Sequence, residues 1–327
     1  MALPQQLTQG FRLPVIGAPL FIISTPDLVI AQCKSGVVGA FPALNARPGP
    51  VLEEWLKRII GELGDWEAKT GKTAAPFAVN QIVHKSNDRL MHDLELTVKY
   101  QAPLVITSLG ARVEVNEAIH SYGGIVLHDI ITNAFAKKAI EKGADGLIAV
   151  AAGAGGHAGT NSPFALIQEI RQWFNGPVAL SGAIATGGAV LAAQAMGADF
   201  GYIGSAFIAT KEANAADGYK QMIVDGTADD IVYTNLFTGV HGNYLKPAIV
   251  AAGMDPNKLP AGDVSQMSFG SGGSSKQKAW KDIWGCGQGI GAVKSVETVA
   301  TFVDRLAAEY EAARARLGIS RQQSAAA

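Results

Sequence analysis

Short apolar runs alternate with longer amphipathic segments over about the first 210 residues of the chain. Each run, rich in Val, Ile, Leu and Ala, ends at a turn that contains Gly, Pro, Ser or Asn, and a segment with helical periodicity follows. The runs are almost continuously apolar, which is typical of parallel strands that are covered on both faces. We predict eight strands, over residues 15–20, 37–43, 77–83, 104–108, 124–129, 146–152, 178–183 and 200–207.

Helical segments fill the gaps between these runs. We predict helices over residues 26–34, 50–63, 88–100, 113–121, 133–142, 163–173 and 187–196, and a last helix over residues 296–317. Gly143 and Gly197 each follow a helix and precede a strand, a position that favours a left-handed C-terminal cap. Because eight strands that alternate with helices close a (β/α)8 barrel, we predict an α/β fold of the TIM-barrel type.

The alternation stops after the eighth predicted strand. Residues 213–284 contain helical segments and a Gly/Ser-rich stretch at 269–275, and we predict that they form an inserted, mostly helical subdomain over the C-terminal face of the barrel. The barrel then comprises residues 1–212 and 285–320, and residues 321–327 are expected to be a frayed tail.

Charge and cysteine content narrow the class of protein. The 327 residues include 27 basic and 28 acidic side chains, so the chain lacks the basic excess that nucleic acids or anionic membranes attract. Two cysteines are too few for a disulfide framework. The sequence shows neither a secretory signal nor an apolar stretch of the length that a membrane span needs. We therefore expect a cytoplasmic protein that binds neither nucleic acid nor membrane.

Glycine is enriched, with 38 residues, and the enrichment is informative at the ends of the last two predicted strands. Ser181, Gly182 and Ala183 end the seventh predicted strand, and Gly204 and Ser205 lie in the second half of the eighth. Glycine allows backbone N–H groups to approach an anion closely, and TIM barrels commonly bind phosphate after strands seven and eight. Glycines that only form tight turns are the alternative, but their occurrence at both expected strands favours a phosphate site.

A single histidine follows the sixth predicted strand in a glycine-rich segment, residues 152–160. His157 would lie at the barrel mouth, and histidine is the usual general acid or base near neutral pH. A purely structural histidine is the alternative.

His128 ends the fifth strand and could face a cofactor, whereas His241 could reach the mouth from the subdomain as a substrate-binding group. No paired-cysteine or H-E-x-x-H pattern predicts a metal site.

Several short motifs together resemble those of the nitronate monooxygenase family of FMN-dependent TIM-barrel oxidoreductases. They are an Ala-Pro turn at Ala18, Asn80 in the third strand, Gly-Gly-His-x-Gly around His157, Ser-Gly-x-Ile-Ala-x-Gly from Ser181, Gly-Ser-x-Phe-x-Ala-Thr from Gly204, and Gly-Gln-Gly around Gln288. The resemblance covers residues 15–210 and 284–302.

The resemblance implies that FMN lies across the strand ends and that the substrates are a small nitronate and O2. The products would be a carbonyl compound and nitrite, with His157 as the base or substrate-orienting residue and no metal. A homodimer is a further expectation. The implied cofactor-binding residues are Ala18, Asn80, His128, Ser181, Gly182, Ala183, Gly204, Ser205 and Gln288, and the implied substrate-binding residues are His241 and Tyr244.

The chain departs from the family pattern at two places. Asp129 follows His128 where relatives often carry Lys or Gln, and residues 238–244 replace a Gly-Arg-Pro-Ala phrase. Two alternatives therefore remain open. One is an NAD(P)H-dependent FMN reductase of quinones or enoyl thioesters on the same barrel, and the other is a phosphate-binding barrel without redox chemistry.

Overall fold

Eight parallel strands form a nearly closed barrel in the computed structural model, which describes residues 3–262 and 283–319. Their order around the barrel is β1-β9-β8-β6-β5-β4-β3-β2, and a bridge between Ile16 and Val38 links β2 back to β1. The strands in chain order are β1 (Val15–Gly17), β2 (Gly39–Pro42), β3 (Phe77–Ile82), β4 (Leu104–Ser108), β5 (Ile125–Ile130), β6 (Gly146–Val150), β7 (Gly156–His157), β8 (Val178–Ser181), β9 (Phe200–Ile203), β10 (Ile231–Thr234) and β11 (Gly242–Leu245).

Helices follow most barrel strands and cover the outside of the barrel, which confirms the TIM-barrel prediction. They are α1 (Pro26–Lys34), α2 (Val51–Thr70), α3 (Leu90–Lys99), α4 (Val113–His120), α5 (Asn133–Glu141), α6 (Pro163–Arg171), α7 (Gly187–Met196), α8 (Ser205–Ile208), α9 (Asp217–Asp225), α10 (Lys246–Ala251) and α11 (Val299–Arg316). Short 3-10 turns occupy Gln5–Leu7, Ala43–Asn45, Ala228–Asp230 and Gln288–Ala292. None of the described helices is long and apolar enough to cross a membrane.

Alternate residues of each barrel strand point into the barrel, where they form one apolar cluster. The strand residues on the other face pack against the surrounding helices in a larger cluster. The strands are therefore covered on both sides, as their continuous apolar runs predict. The members of the interior cluster on the strands are Ile16, Ala40, Ala78, Leu104, Ile106, Leu127, Ile148, Ala179, Phe200 and Tyr202.

Helix α2 is longer than the sequence predicts. The predicted end at residue 63 is wrong, since the helix continues to Thr70 and stops at Gly71, whose φ of 67° is left-handed. Gly61 and Gly64 lie inside the helix in open space and do not interrupt it. Gly143 and Gly197, at φ 93° and 110°, confirm the two predicted left-handed caps.

The first and last barrel strands are shorter than predicted. Strand β1 ends at Gly17, before Pro19, which has no N–H group to donate to a neighbouring strand. Strand β9 ends at Ile203, and the backbone turns at Gly204 into the single helical turn of α8. The predicted strand extensions over residues 18–20 and 204–207 are therefore wrong, and both segments instead shape the barrel mouth.

The inserted segment contains strands as well as helices. Strands β10 and β11 form an antiparallel pair, and β11 also pairs with β7, which belongs to the loop after barrel strand β6. The sequence analysis did not anticipate this sheet. The predicted Gly/Ser stretch 269–275 and the predicted tail 321–327 lie outside the described residues.

The C-terminal helix packs against the barrel exterior. Helix α11 contacts α7 and α1, and Phe302 meets Phe207 edge to face at 4.9 Å between ring centroids. Gly187, at the start of α7, has no room for a side chain because a Cβ there would lie 2.1 Å from the Leu306 carbonyl oxygen. The start of α7 therefore packs directly against the backbone of α11.

Candidate active site

A cavity of about 1130 Å³ lies at the C-terminal ends of the barrel strands. This is the face on which TIM barrels carry their active sites. The volume is above the roughly 300–1,000 Å³ of common ligand pockets, so the cavity has room for a cofactor together with a small substrate. The structure brings together most of the predicted site residues on its wall, namely Ala18, Asn80, His128, His157, Ser181, Gly182, Ala183, Gly204, Ser205 and His241.

The floor of the cavity is polar because the strand alternation changes from apolar to polar residues at the barrel mouth. Ala78, Ile106 and Leu127 point into the barrel. The residues two positions later, Asn80, Ser108 and Asp129, therefore share that inner face at the strand ends, and all line the cavity. The same holds for Ser181 on β8. We call Asn80, Ser108, Asp129, Ser181 and Tyr202 the floor layer.

A directed chain of hydrogen bonds runs through the floor layer. The Asn80 amide donates to the Ile106 carbonyl at 3.0 Å and to the Ser108 hydroxyl at 2.8 Å. Ser108 in turn donates to the Asp129 carboxyl group at 2.5 Å, and the Leu109 backbone N–H also donates to Asp129. Burial nevertheless raises the pKa of Asp129 from 3.8 to about 6, because desolvation outweighs these two donors.

His128 has its side chain on the opposite face of β5 from Asp129. Its neighbour across the strands is Thr107, whose hydroxyl lies 2.6 Å from Nδ1 of the imidazole. Burial lowers the pKa of His128 to about 4, so the ring is neutral near pH 7. His128 lines the cavity as predicted, but Asp129 is the β5 side chain that belongs to the floor layer.

The glycine-rich turns after β8 and β9 form a cradle of backbone atoms. Gly182 has φ 142°, and a Cβ on it would lie 2.7 Å from the Ala152 carbonyl oxygen, so only glycine fits there without strain. Ala183 follows with a left-handed φ of 54°, and its backbone N–H donates to the Gly153 carbonyl at 3.3 Å. Gly204 leads into the turn of α8, where the Ser205 hydroxyl accepts a hydrogen bond from the Gly287 N–H at 2.8 Å.

His157 reaches the cavity wall on β7, where it is held by the inserted segment. Its partner in the sheet is Gly242, and Nε2 of the imidazole lies 3.1 Å from the Thr238 hydroxyl. Thr238 donates its own hydrogen to the Val240 carbonyl at 2.9 Å, so it accepts a hydrogen from Nε2 of the histidine. Desolvation lowers the pKa of His157 to about 4, and the ring is therefore neutral near pH 7.

His241 lies at the outer rim of the cavity. Its ring stacks on that of Tyr233 at 5.1 Å between centroids. The Tyr233 hydroxyl donates to the Ala158 carbonyl at 2.9 Å, and the Ala158 N–H donates to the His241 carbonyl. These contacts attach the rim to the segment that carries His157.

Two predicted site residues lie away from the cavity wall. Tyr244 is fully buried and packs edge to face on Phe237. It also interacts with the hydroxyl of Thr238, the residue that contacts His157, and does not line the cavity. The Gln288 side chain is exposed, and its backbone N–H donates to the Gly153 carbonyl at 2.9 Å. The glycines on either side of Gln288 line the cavity in its place.

Thr238 and Arg47 belong to the site but were not predicted as site residues. Arg47 lines the cavity, stacks its guanidinium on Phe21 at 5.1 Å and donates to the Leu44 carbonyl at 2.7 Å. Burial and the nearby charge of Arg89 lower its pKa. Arg47 lies in the loop that follows β2, and a place after a barrel strand is a signal that could have identified it. Thr238 follows no barrel strand, and only the pairing of β11 with β7 brings it to His157.

Charge and thiol chemistry limit what the site can do. Among the described residues that line the cavity, Asp129 is the one carboxylic acid, whereas Arg47, Lys138 and Lys142 are cationic. Burial raises the pKa of the Cys286 thiol to about 12, so this residue is not a nucleophile. No group of three potential metal ligands occurs in the described parts of the chain.

Comparison with known proteins gives concordant matches. The family model for nitronate monooxygenase matches residues 6–309. A nitronate monooxygenase of Paraburkholderia phytofirmans is 25% identical over 293 residues, which cover 76% of this chain and 77% of that protein. The nitroalkane oxidase structure from Streptomyces ansochromogenes superposes with a TM-score of 0.80 at 25% identity, over 95% of this chain and 99% of the other. FabK from Thermotoga maritima shares the fold, with a TM-score of 0.75 at 20% identity and 96% and 97% coverage.

Proposed function

The chain belongs to the nitronate monooxygenase family and is an oxidoreductase, and from this premise we propose that it oxidises alkyl nitronates with O2 to a carbonyl compound and nitrite, using FMN. The observation that carries the proposal is the position of His157 on the wall of a cavity that is also lined by the glycine-rich turns after β8 and β9 and by the cationic side chains of Arg47, Lys138 and Lys142. The substrate is a small molecule in this proposal. The homodimer and the cytoplasmic location stay predictions.

The residues at the strand ends fit FMN. Gly182 after β8, and Gly204 and Ser205 after β9, would hold the phosphate through backbone N–H groups. Ala183 would line the same cradle, while its own N–H donates to the Gly153 carbonyl. The floor layer would lie against the ring system, with Ala18, which directly follows β1, beside it. FMN supplies the redox chemistry when bound, and the protein supplies orientation and electrostatics.

The low pKa of His157 favours a nitronate over a neutral nitroalkane as substrate. A base with a pKa of about 4 is poorly matched to removing a proton from carbon near pH 7, and a nitronate has already lost that proton. An anion against the buried imidazole raises its pKa. His157 would therefore take up a proton as the nitronate binds, while Thr238 fixes the orientation of the ring through Nε2.

The test is anaerobic mixing of the purified, FMN-bearing protein with a preformed alkyl nitronate, followed by visible absorbance. We expect the wild type to be reduced rapidly and His157→Asn to be slower by about 10²-fold, because asparagine cannot take up the proton. His92→Asn is the matched control, since His92 lies outside the cavity on α3. Equal rates for the wild type and His157→Asn would refute the role of His157.

The two alternative functions give different results in the same experiment. Reduction by NAD(P)H on a catalytic timescale, without a response to nitronates, would indicate the FMN reductase of quinones or enoyl thioesters. A purified protein without flavin absorbance that also fails to bind added FMN would indicate the phosphate-binding barrel without redox chemistry. In aerobic turnover, formation of nitrite by the wild type is the result that we expect.

A further inference from the structure

Asp129 is a buried acid whose place in the site the proposed reaction does not yet explain. Its carboxyl group lies in the floor layer, two positions beyond Leu127 on the inner face of β5. Any planar ring that spans the barrel mouth rests on this layer, because the layer closes the interior beneath it. Asp129 is therefore placed to face such a ring.

The hydrogen bonds around Asp129 all run in one direction. The Ile106 carbonyl can only accept, and this fixes the NH2 group of Asn80 toward Ile106 and Ser108. Ser108 has a single hydrogen, which it gives to Oδ2 of Asp129. The Leu109 backbone N–H also donates to the carboxyl group. Both protein groups that hydrogen-bond to Asp129 are therefore donors, so a proton on the carboxyl group is available for donation to a bound ligand.

No described cation compensates a negative charge at this position. Ser108 on the adjacent strand β4 contacts Asp129, and Asn80 on β3 contacts Ser108; both are uncharged. Tyr202 on β9 is uncharged as well, because burial and the charge of Asp129 raise its pKa well above 10. The pKa of Asp129, about 6, has no cationic contribution. A bound ring that excluded more water would raise it further.

We propose that Asp129 is a positioning and proton-holding residue of the FMN site, which in its neutral form donates a hydrogen bond to the ring system and in its ionised form places a negative charge against it. This inference rests on the proposed function, since it requires FMN in the cavity. The charge next to the bound cofactor would therefore change when Asp129 gains or loses one proton. The ionised form would disfavour any negative charge that the ring acquires, and would also weaken the binding of an anionic substrate.

The test is a pH titration of the oxidised holoenzyme, read by the visible spectrum of bound FMN and by its midpoint potential. Between about pH 5 and pH 8.5 we expect one inflection in the wild type and none in Asp129→Asn, which keeps the shape and cannot ionise. Ser108→Ala removes a donor to the ionised form, so its inflection should lie about one pH unit higher than that of the wild type. Glu117→Gln, an exposed charge change on α4, is the matched control and should titrate like the wild type.

The outcomes separate this inference from the proposed function. An FMN-bearing wild type without the inflection, or an inflection that persists in Asp129→Asn, would overturn the role of Asp129 alone. If Asp129→Asn failed to fold, an unshifted inflection in Ser108→Ala would overturn it instead. A wild type that bound no FMN would overturn the proposed function, and this inference with it.

Discussion

Gly242 lies directly opposite His157 in the antiparallel pair of β7 and β11, and the two strands leave no space for a side chain at position 242. A Cβ on Gly242 would lie 2.6 Å from the Gly156 carbonyl oxygen. We therefore expect Gly242→Ala to push β7 away and misplace the imidazole. Displacements of about 1 Å in an active site can lower rates by about 10²-fold, so reduction by nitronate should slow by tenfold or more while FMN content stays normal.

Stopped-flow reduction and the absorbance ratio of flavin to protein would measure both effects. Gly61→Ala is the control, since Gly61 lies in α2 with open space around it and should behave like the wild type. A fully active Gly242→Ala would contradict the dependence of His157 on its strand partner.

Replacement of Gly182 should weaken FMN binding. Gly182→Ala combines the strain of a φ of 142° with a contact of 2.7 Å to a backbone oxygen, so the cradle must open. We expect the Kd for FMN to rise by tenfold or more, and the gain in Tm on adding FMN to shrink accordingly. Gly188→Ala is a matched control six residues later, where a Cβ would find its nearest atom at 3.9 Å. Equal FMN affinity in the two variants would exclude the cradle as the phosphate site.

Arg47 should attract anionic substrates to the cavity. Because its guanidinium faces the cavity among few charges of the opposite sign, we expect Arg47→Gln to raise KM for a nitronate about fivefold, with little change in kcat. Steady-state kinetics at two salt concentrations would also show a weaker salt dependence in the variant. Arg58→Gln, which removes an exposed arginine that pairs with Asp27 and Glu62, is the control. Unchanged kinetics in Arg47→Gln would place the substrate elsewhere.

The stability of the protein should depend on pH through three buried groups. The pKa values of His128 and His157 are about 4 when folded and about 6.5 when unfolded. The unfolded chain therefore binds more protons in this window, and the free energy of unfolding falls as pH drops through it. Asp129 acts oppositely, since its folded pKa of about 6 exceeds the unfolded value of 3.8, and its contribution is lost as pH rises through 6.

Two variants separate these contributions in urea denaturation without added FMN. His128→Gln should flatten the decline in stability between about pH 6.5 and pH 4, whereas Asp129→Asn should steepen it below about pH 6, because each removes one proton-linked contribution. Parallel pH profiles in the wild type and both variants would show that these groups titrate alike in the folded and unfolded chain.

The barrel could be predicted from sequence because its signals are local and repeated. Eight apolar runs with helical segments between them admit few other folds. The predicted ends of helices and strands were wrong where local sequence signals and tertiary packing favour different ends. The predicted end of α2 at residue 63 is too early, because Leu56 and Ile59 are buried and the helix continues past Gly64 to Thr70. The extended pattern after Ile203 proved to be a helical turn.

The site could be predicted where backbone chemistry defines it and not where distant segments meet. Gly182 and Gly204 line the cavity at the two strand ends where the sequence predicts a phosphate site. Strand β7 has only two residues, which is too few to show the alternation that predicts a strand. Its pairing with β11 could therefore not be predicted from the sequence. Without that pairing, Thr238 could not be connected to the histidine. Tyr244 seemed close to the substrate by sequence, but the strand alternation of β11 turns it into an apolar cluster with Ile249.

The pairing of β7 with β11 couples the position of His157 to the sequence of the inserted segment. By sequence His157 belongs to a barrel loop, yet its backbone partner and its side-chain partner both come from the inserted segment. The insertion that shapes the substrate end therefore also aims the imidazole. If that segment were exchanged between relatives, the orientation of the histidine and the substrate preference would change together. The turns after β8 and β9 belong to the barrel and would stay the same.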